Sequence, residues 1–142
     1  ADPNVPADDP VWQETGAVPV GLTDLLSRCD AVSLHVPLSE ATRHLIDASA
    51  LARMPSHAVL INTARGGVVD DAALAEALRG GRLRGAVLDV FETEPLPAGN
   101  LFDGLENVVL TPHVAGLTRQ SNRRVSEVTG AAVTRVLTGD AA

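Results

Sequence analysis

The stretch "AVLINTARGGVVDDAALAEALRGG", Ala58 to Gly81, sets the fold class. Its opening, "AVLIN", is an apolar run with the length and side-chain type of a buried strand. Its close, "DDAALAEALRGG", carries acidic residues where a helix begins, Arg79 in the last turn and Gly80 as a stop, so it reads as an α-helix. Between them stand Thr63, Ala64, Arg65, Gly66 and Gly67. A strand feeding a helix through a glycine-bearing turn is half of a β-α-β unit, which needs a second, parallel strand. The turn also poses a chemical question: why should one arginine stand at the tip of a buried strand with two glycines beside it?

The flanking sequence supplies the other strands. "AVSLHV" (Ala31 to Val36) is a strand stopped by Pro37, which cannot donate to a sheet ladder. "GAVLDV" (Gly85 to Val90) is a third and "NVVLT" (Asn107 to Thr111) a fourth. "LTDLLSRCD" reads as a short helix with Thr23 as N-cap and Leu22, Leu25 and Leu26 on one face. "IDASALARM" reads as a short helix capped by Asp47, and Thr118 caps a final helix through "RQSNRRVSEVTGAAVTRVLTG". The opening "ADPNVPADDPVWQETG" is rich in Pro and Asp and reads as loop. Near-continuous apolar strands alternating with helices predict a parallel α/β sheet with helices on both faces. Right-handed crossovers make it a doubly wound, Rossmann-type sheet.

Composition narrows the chemistry. The 142 residues are 45% hydrophobic, enough for a sizeable core, but only 2% aromatic, with no tyrosine. A net charge of −7 and the lack of base-stacking aromatics argue against a nucleic-acid surface. All eleven basic residues are arginine, so phosphate-loop, Schiff-base and Ser-Lys chemistries are excluded. The single cysteine, Cys29, cannot form an internal disulfide, and the composition reads as that of a reducing cytoplasm. No apolar stretch is long enough to span a bilayer. Four scattered histidines give no zinc-ligand spacing, so no metal is expected. There is also no G-x-S-x-G nucleophile elbow.

In a parallel sheet of this kind ligands bind outside the carboxyl ends of the strands. Thr63, Ala64 and Arg65 follow the second strand; Asp89 lies within "GAVLDV", with Glu92 and Glu94 beyond; Pro112 and His113 follow the fourth. Singly, an arginine after a strand is ordinarily a solvated charge and the glycines beside it turn punctuation. A cation, a carboxylate and an imidazole delivered to one edge by three strands are a stronger signal.

Three segments, "LINTARGGVVDDAALAEAL", "GAVLDVFETEPLP" and "NVVLTPHVAG", resemble the signature segments of the D-isomer-specific 2-hydroxyacid dehydrogenases, and "CDAVSLHVPLSEATRHLI" is similar to a further one. The resemblance implies NAD as cofactor and a 2-keto or 2-hydroxy acid as substrate. By it, Arg65 grips the substrate carboxylate and polarises the reacting carbonyl, a task suited to a planar guanidinium. His113 is the general acid/base, and Glu94 pairs with it, since a neighbouring carboxylate favours the imidazolium form. Glu92 corresponds to a variable position and is expected to face solvent.

The same resemblance assigns the cofactor contacts. Asp89 holds the nicotinamide carboxamide. Thr63 and Ala64, with Val36 and Pro37, wall the nucleotide pocket together with Arg65 and His113. Val114, Ala115 and Gly116 bring backbone to the nicotinamide end, and Asp2 binds the adenine ribose hydroxyls. His44 and His57 are expected to be structural or solvated, His35 to be packed, and Cys29 to be a small buried hydrophobe.

The G-x-G-x-x-G fingerprint, which stands about twenty residues before the ribose-binding acid, does not occur in these residues. The expectation is therefore that residues 1–142 are the C-terminal portion of a dinucleotide-binding domain, an incomplete Rossmann-type sheet. Its final helix, about 118–138, would lead toward a substrate domain outside this segment, and the segment alone would not turn over a 2-keto acid. The resemblance further implies a homodimer formed through this domain. Two other activities share its features: an NAD(H)-sensing corepressor-like binding protein, and a phosphite-type dehydrogenase with a similar trio.

Overall fold

The computed structural model describes residues 1–139. The chain divides into two compact units, Ala1–Pro112 and His113–Ala142. In the first, α1 (Val11–Thr15) and α2 (Leu22–Arg28) precede β1 (Ala31–Leu34), α3 (Ala48–Leu51), β2 (Val59–Asn62), α4 (Asp71–Arg79), β3 (Gly85–Leu88) and β4 (Val108–Leu110). The four strands form one parallel sheet in the order β1-β2-β3-β4, the monotonic order of one wing of a doubly wound sheet. Leu34, Asn62, Leu88 and Leu110 are aligned across it, so all four strands end abreast.

Local chemistry explains the crossover helices. Asp47 caps α3 by accepting from the Ala50 N–H at 2.8 Å, and Asp70 caps α4 by accepting from the Ala73 N–H at 2.9 Å. Each such cap stabilises its helix by about 1 kcal/mol. Leu74, Ala75 and Leu78 turn the apolar side of α4 onto a core that includes Leu60, Ile46, Val68 and Val69. The two crossover helices pack on one another and hence on the same side.

Four sequence expectations need correction. Gly21, not Thr23, stands at the N-cap of α2. The opening segment is not all loop: α1 forms there, although it buries none of its residues. The first strand ends at Leu34, leaving His35 and Val36 in the irregular segment that follows. Burial in the sheet alternates rather than being continuous. Leu60, Asn62, Ala86 and Leu88 are buried, whereas Val59, Ile61 and Val87 are only half-buried and Val109 is exposed. In the second unit, α5 (Arg119–Thr138) starts at a reciprocal cap: the Ser121 N–H donates to the Thr118 hydroxyl and the Thr118 N–H to the Ser121 hydroxyl, both at 2.9 Å.

Candidate active site

Because the strands end in register, the next residues of each, His35, Thr63, Asp89 and Thr111, stand in a row along the carboxyl edge of the sheet. A cavity of about 390 Å3 opens at the β1–β2 end of that row. It is lined by His35, Val36, Pro37, Thr63, Ala64 and Arg65. Five of the residues expected around the cofactor and substrate therefore share one concavity. His35, expected to be packed, is instead exposed, with its Nε2 2.9 Å from the Ser33 hydroxyl.

The turn that presents Arg65 is built from Asn62, a residue the sequence reading passed over as the end of a strand. Its side chain is buried, and both halves of the amide are used. Nδ2 donates to the Arg65 carbonyl and Oδ1 accepts from the Ala64 N–H, each at 3.1 Å. The Asn62 carbonyl in turn accepts from the Asp89 N–H at 2.9 Å, so one residue links the Arg65 turn to the next strand end. The available signal was an amide side chain closing an otherwise apolar run. Arg65 itself is exposed, and its Nη1 donates to the Ala64 carbonyl at 2.6 Å.

The two glycines now have physical reasons. A Cβ on Gly66 would lie 1.7 Å from the Phe91 carbonyl oxygen and 2.3 Å from its carbon, so only a hydrogen there lets the two backbones meet. Gly67 adopts φ 78°, the left-handed region that other residues avoid. The Arg65 turn is thus pressed directly against the segment that carries Glu94. Within that segment the Glu94 carboxylate accepts from the Phe91 N–H at 2.9 Å. Substrate-binding and proton-transfer candidates on separate strands are joined by backbone contact between their loops.

Asp89 is 2% exposed, immediately past β3, and accepts a hydrogen bond from the Thr111 hydroxyl. A buried carboxylate held at a strand end is a fixed acceptor. Thr111, like Asn62, was not anticipated from sequence. Asp2 lies apart, in a turn where its carboxylate accepts from the Asn4 N–H at 2.9 Å; it is not on a strand and does not line the cavity.

Glu92 is exposed, as expected, yet it is also bonded to two other segments. Its N–H donates to the Asp71 carboxylate at 2.9 Å, and its own carboxylate accepts from the Asp71 N–H and lies close to the His44 Nε2, both at 3.1 Å. Burial pushes the Asp71 carboxyl above its ordinary value of 3.8, while the hydrogen bond from the Glu92 N–H acts in the opposite direction. His57 is exposed, with Nε2 2.7 Å from Asp30, and is a surface contact. Cys29, expected to be buried, is only partly so, packed against the core.

His113 opens the second unit. It is exposed and has φ 54°, one of two non-glycine residues at positive φ among the described residues. Such a conformation costs on the order of 1 kcal/mol and clusters at functional sites. Val114, Ala115 and Gly116 continue into a tight turn in which the Leu117 N–H donates to the Val114 carbonyl at 2.9 Å. The Gly116 carbonyl accepts from the Thr118 N–H and the Ser121 hydroxyl, which joins the turn to the α5 cap. Among the described residues no group of His, Cys, Asp and Glu has the arrangement of a metal site, and no helix is long and apolar enough to cross a membrane.

Residues 1–115 match the family model described as D-isomer specific 2-hydroxyacid dehydrogenase, NAD binding domain. An (S)-sulfolactate dehydrogenase of Chromohalobacter salexigens is 56% identical over 96% of this chain and 44% of its own length. A glyoxylate reductase of Thermofilum pendens is 47% identical over 84% of this chain and 35% of its own. Among solved structures, D-lactate dehydrogenase from Aquifex aeolicus, complexed with NAD and lactic acid, superposes with a TM-score of 0.84 at 36% identity. That superposition covers 94% of this chain and 44% of that one. The chain thus spans less than half the length of these relatives, and within them it corresponds to the partial Rossmann sheet described above. By family model, sequence identity and fold together, the chain belongs to the D-isomer specific 2-hydroxyacid dehydrogenases and carries part of their NAD-binding domain.

Proposed function

We propose that this chain is the C-terminal portion of the nucleotide-binding domain of a longer NAD-dependent dehydrogenase that interconverts a D-2-hydroxy acid and its 2-keto acid. The reading is carried by one observation, the close approach of the Gly66 and Phe91 backbones, which joins the Arg65 turn to the Glu94 loop at the carboxyl edge. The relatives named above, a sulfolactate dehydrogenase and a glyoxylate reductase, support the same substrate class.

In this reading the residues around the cavity suit the nicotinamide half of the cofactor. Val36, Pro37, Thr63 and Ala64 would wall it, and the buried Asp89 carboxylate would accept from the carboxamide. When bound, NAD(H) supplies or accepts the hydride. Arg65 binds the substrate carboxylate through paired N–H donors and fixes which face of the 2-carbon is presented. His113 gives its proton to the carbonyl oxygen during reduction and takes it back during oxidation, and Glu94 stabilises the imidazolium between those events. Asp2 remains the proposed partner of the adenine ribose hydroxyls, and Val114 to Gly116 the backbone beside the nicotinamide.

The α5 helix would lead into the substrate domain. Val125, Val128, Val133, Val136 and Leu137 are exposed on it, an apolar content that suits a helix packed in a larger assembly. Homodimerisation through this domain belongs to the same proposal. The test is nicotinamide absorbance on mixing the full-length protein with NADH and glyoxylate or hydroxypyruvate, and with NAD and sulfolactate. Turnover of at least one pair is expected; silence with all of them, despite measurable NADH binding, would replace the enzyme with a nicotinamide-sensing protein.

A further inference from the structure

We propose that His44, Glu92 and Asp71 act together as a clasp that positions Glu94 for proton transfer. The proposal rests on the dehydrogenase reading, because it concerns residues acting through Glu94. Three separate segments meet at this clasp: the turn after β1, the N-terminus of α4 and the loop after β3.

His44 is bound at both its backbone and its ring. Its N–H donates to the Gly67 carbonyl at 2.8 Å, which ties it to the Arg65 turn. Its Nε2 lies 3.1 Å from the Glu92 carboxylate and its Nδ1 3.9 Å from that of Asp70. It does this at φ 48°, a left-handed backbone conformation that costs most residues other than glycine about 1–2 kcal/mol. Glu92 and Asp71 meanwhile exchange two backbone–side-chain hydrogen bonds, so residue 92 is gripped from α4 as well. The residue before it, Phe91, is the one pressed by Gly66 and the one whose N–H holds Glu94.

The loop from Phe91 to Glu94 is therefore held on both sides, by glycine contact on one and by polar bonds on the other. Packing alone does not supply the second hold. A cavity of about 330 Å3 lined by His44, Asp71, Glu92, Leu96 and Phe102 lies beside it, and the Glu92 side chain is one-third exposed. If its hydrogen bonds are removed, residue 92 has room to move, and the Glu94 carboxylate two residues on moves with it. Misplacement of a reacting group by about 1 Å costs up to about a hundredfold in rate.

The experiment uses the full-length protein with NADH and whichever of glyoxylate or hydroxypyruvate it reduces, or NAD and sulfolactate. Glu92→Ala is expected to lower kcat about tenfold, with KM and NADH affinity within about twofold of the parent and the thermal midpoint little changed. Glu92→Gln retains an oxygen for the Asp71 N–H and is expected to restore most of kcat. His44→Asn, which tolerates the left-handed backbone while deleting the ring contacts, should repeat the Glu92→Ala loss. Parent-like kcat in Glu92→Ala, a loss explained wholly by unfolding, or no rescue by glutamine would each overturn the clasp. Glu94→Ala and Arg65→Ala run in parallel separate the two levels. If they abolish turnover while Glu92→Ala does not, the clasp alone fails. If they too are silent, or no acid turns over, the dehydrogenase reading fails and takes the clasp with it.

Discussion

Replacing Gly66 by alanine should be far more damaging than a single methyl group suggests. The added carbon would sit 1.7 Å from the Phe91 carbonyl oxygen, whereas carbon–oxygen contacts in proteins close to no less than about 3.3 Å. The two backbones would have to part by about 1.6 Å, and neither is the free end of a flexible side chain. Overpacking in a tight site costs about 1–3 kcal/mol, and a backbone-to-backbone clash belongs at the upper end. Gly67→Ala is the internal control. It carries the left-handed φ of 78°, a cost of about 1–2 kcal/mol, yet its Cβ would meet only ordinary contacts, the nearest at 3.5 Å on Leu38. Urea unfolding followed by circular dichroism should therefore rank the parent above Gly67→Ala and Gly67→Ala above Gly66→Ala. In the full-length protein Gly66→Ala should also lose at least tenfold in turnover, since the parting separates the Arg65 turn from the Glu94 loop. Parent-like stability in Gly66→Ala, or a smaller loss than in Gly67→Ala, would refute the claim that this contact joins the two loops.

Asn62→Leu keeps the branching of the side chain but leaves the Ala64 N–H and Arg65 carbonyl without their partner. It should cost about 1–3 kcal/mol in the same unfolding assay and raise the substrate KM more than it lowers kcat. Asp71→Asn tests the raised carboxyl. A folded-state value above 3.8 means that the contribution of Asp71 to stability is full below 3.8 and is lost as pH rises through the folded value. The stability of the parent relative to Asp71→Asn should therefore fall from acid toward neutral pH, and a rise over that range would contradict the desolvation account. Thr118→Ala should remove about 1 kcal/mol from the start of α5, seen as faster hydrogen exchange in its first turn with the sheet amides unchanged.

What the sequence disclosed follows physical range. The strand, turn and helix from Val59 to Arg79 were legible because their signals are local: an apolar run, capping aspartates and a glycine stop. Arg65 stood out because a cation at the tip of a buried strand has no packing reason to be there. The row His35, Thr63, Asp89 and Thr111 was half legible, since strand ends can be ordered from sequence but their register cannot. The two-way pairing of Asp71 with Glu92 was invisible, because it joins residues far apart in the chain and each reads as a surface carboxylate alone. Asn62 was hidden inside an apolar run, and α1 within a Pro- and Asp-rich opening that buries nothing. The half-buried Val59, Ile61 and Val87 show that continuous apolarity in a strand does not by itself report burial on both faces.

The central claim is that Arg65, Glu94 and His113 serve one reaction, and steady-state kinetics with parallel NADH titration in the full-length protein tests it most directly. His113→Ala should lower kcat by orders of magnitude with little change in NADH affinity, whereas Arg65→Ala should raise the substrate KM as well as slow turnover. Small, equal effects from both substitutions would contradict the account.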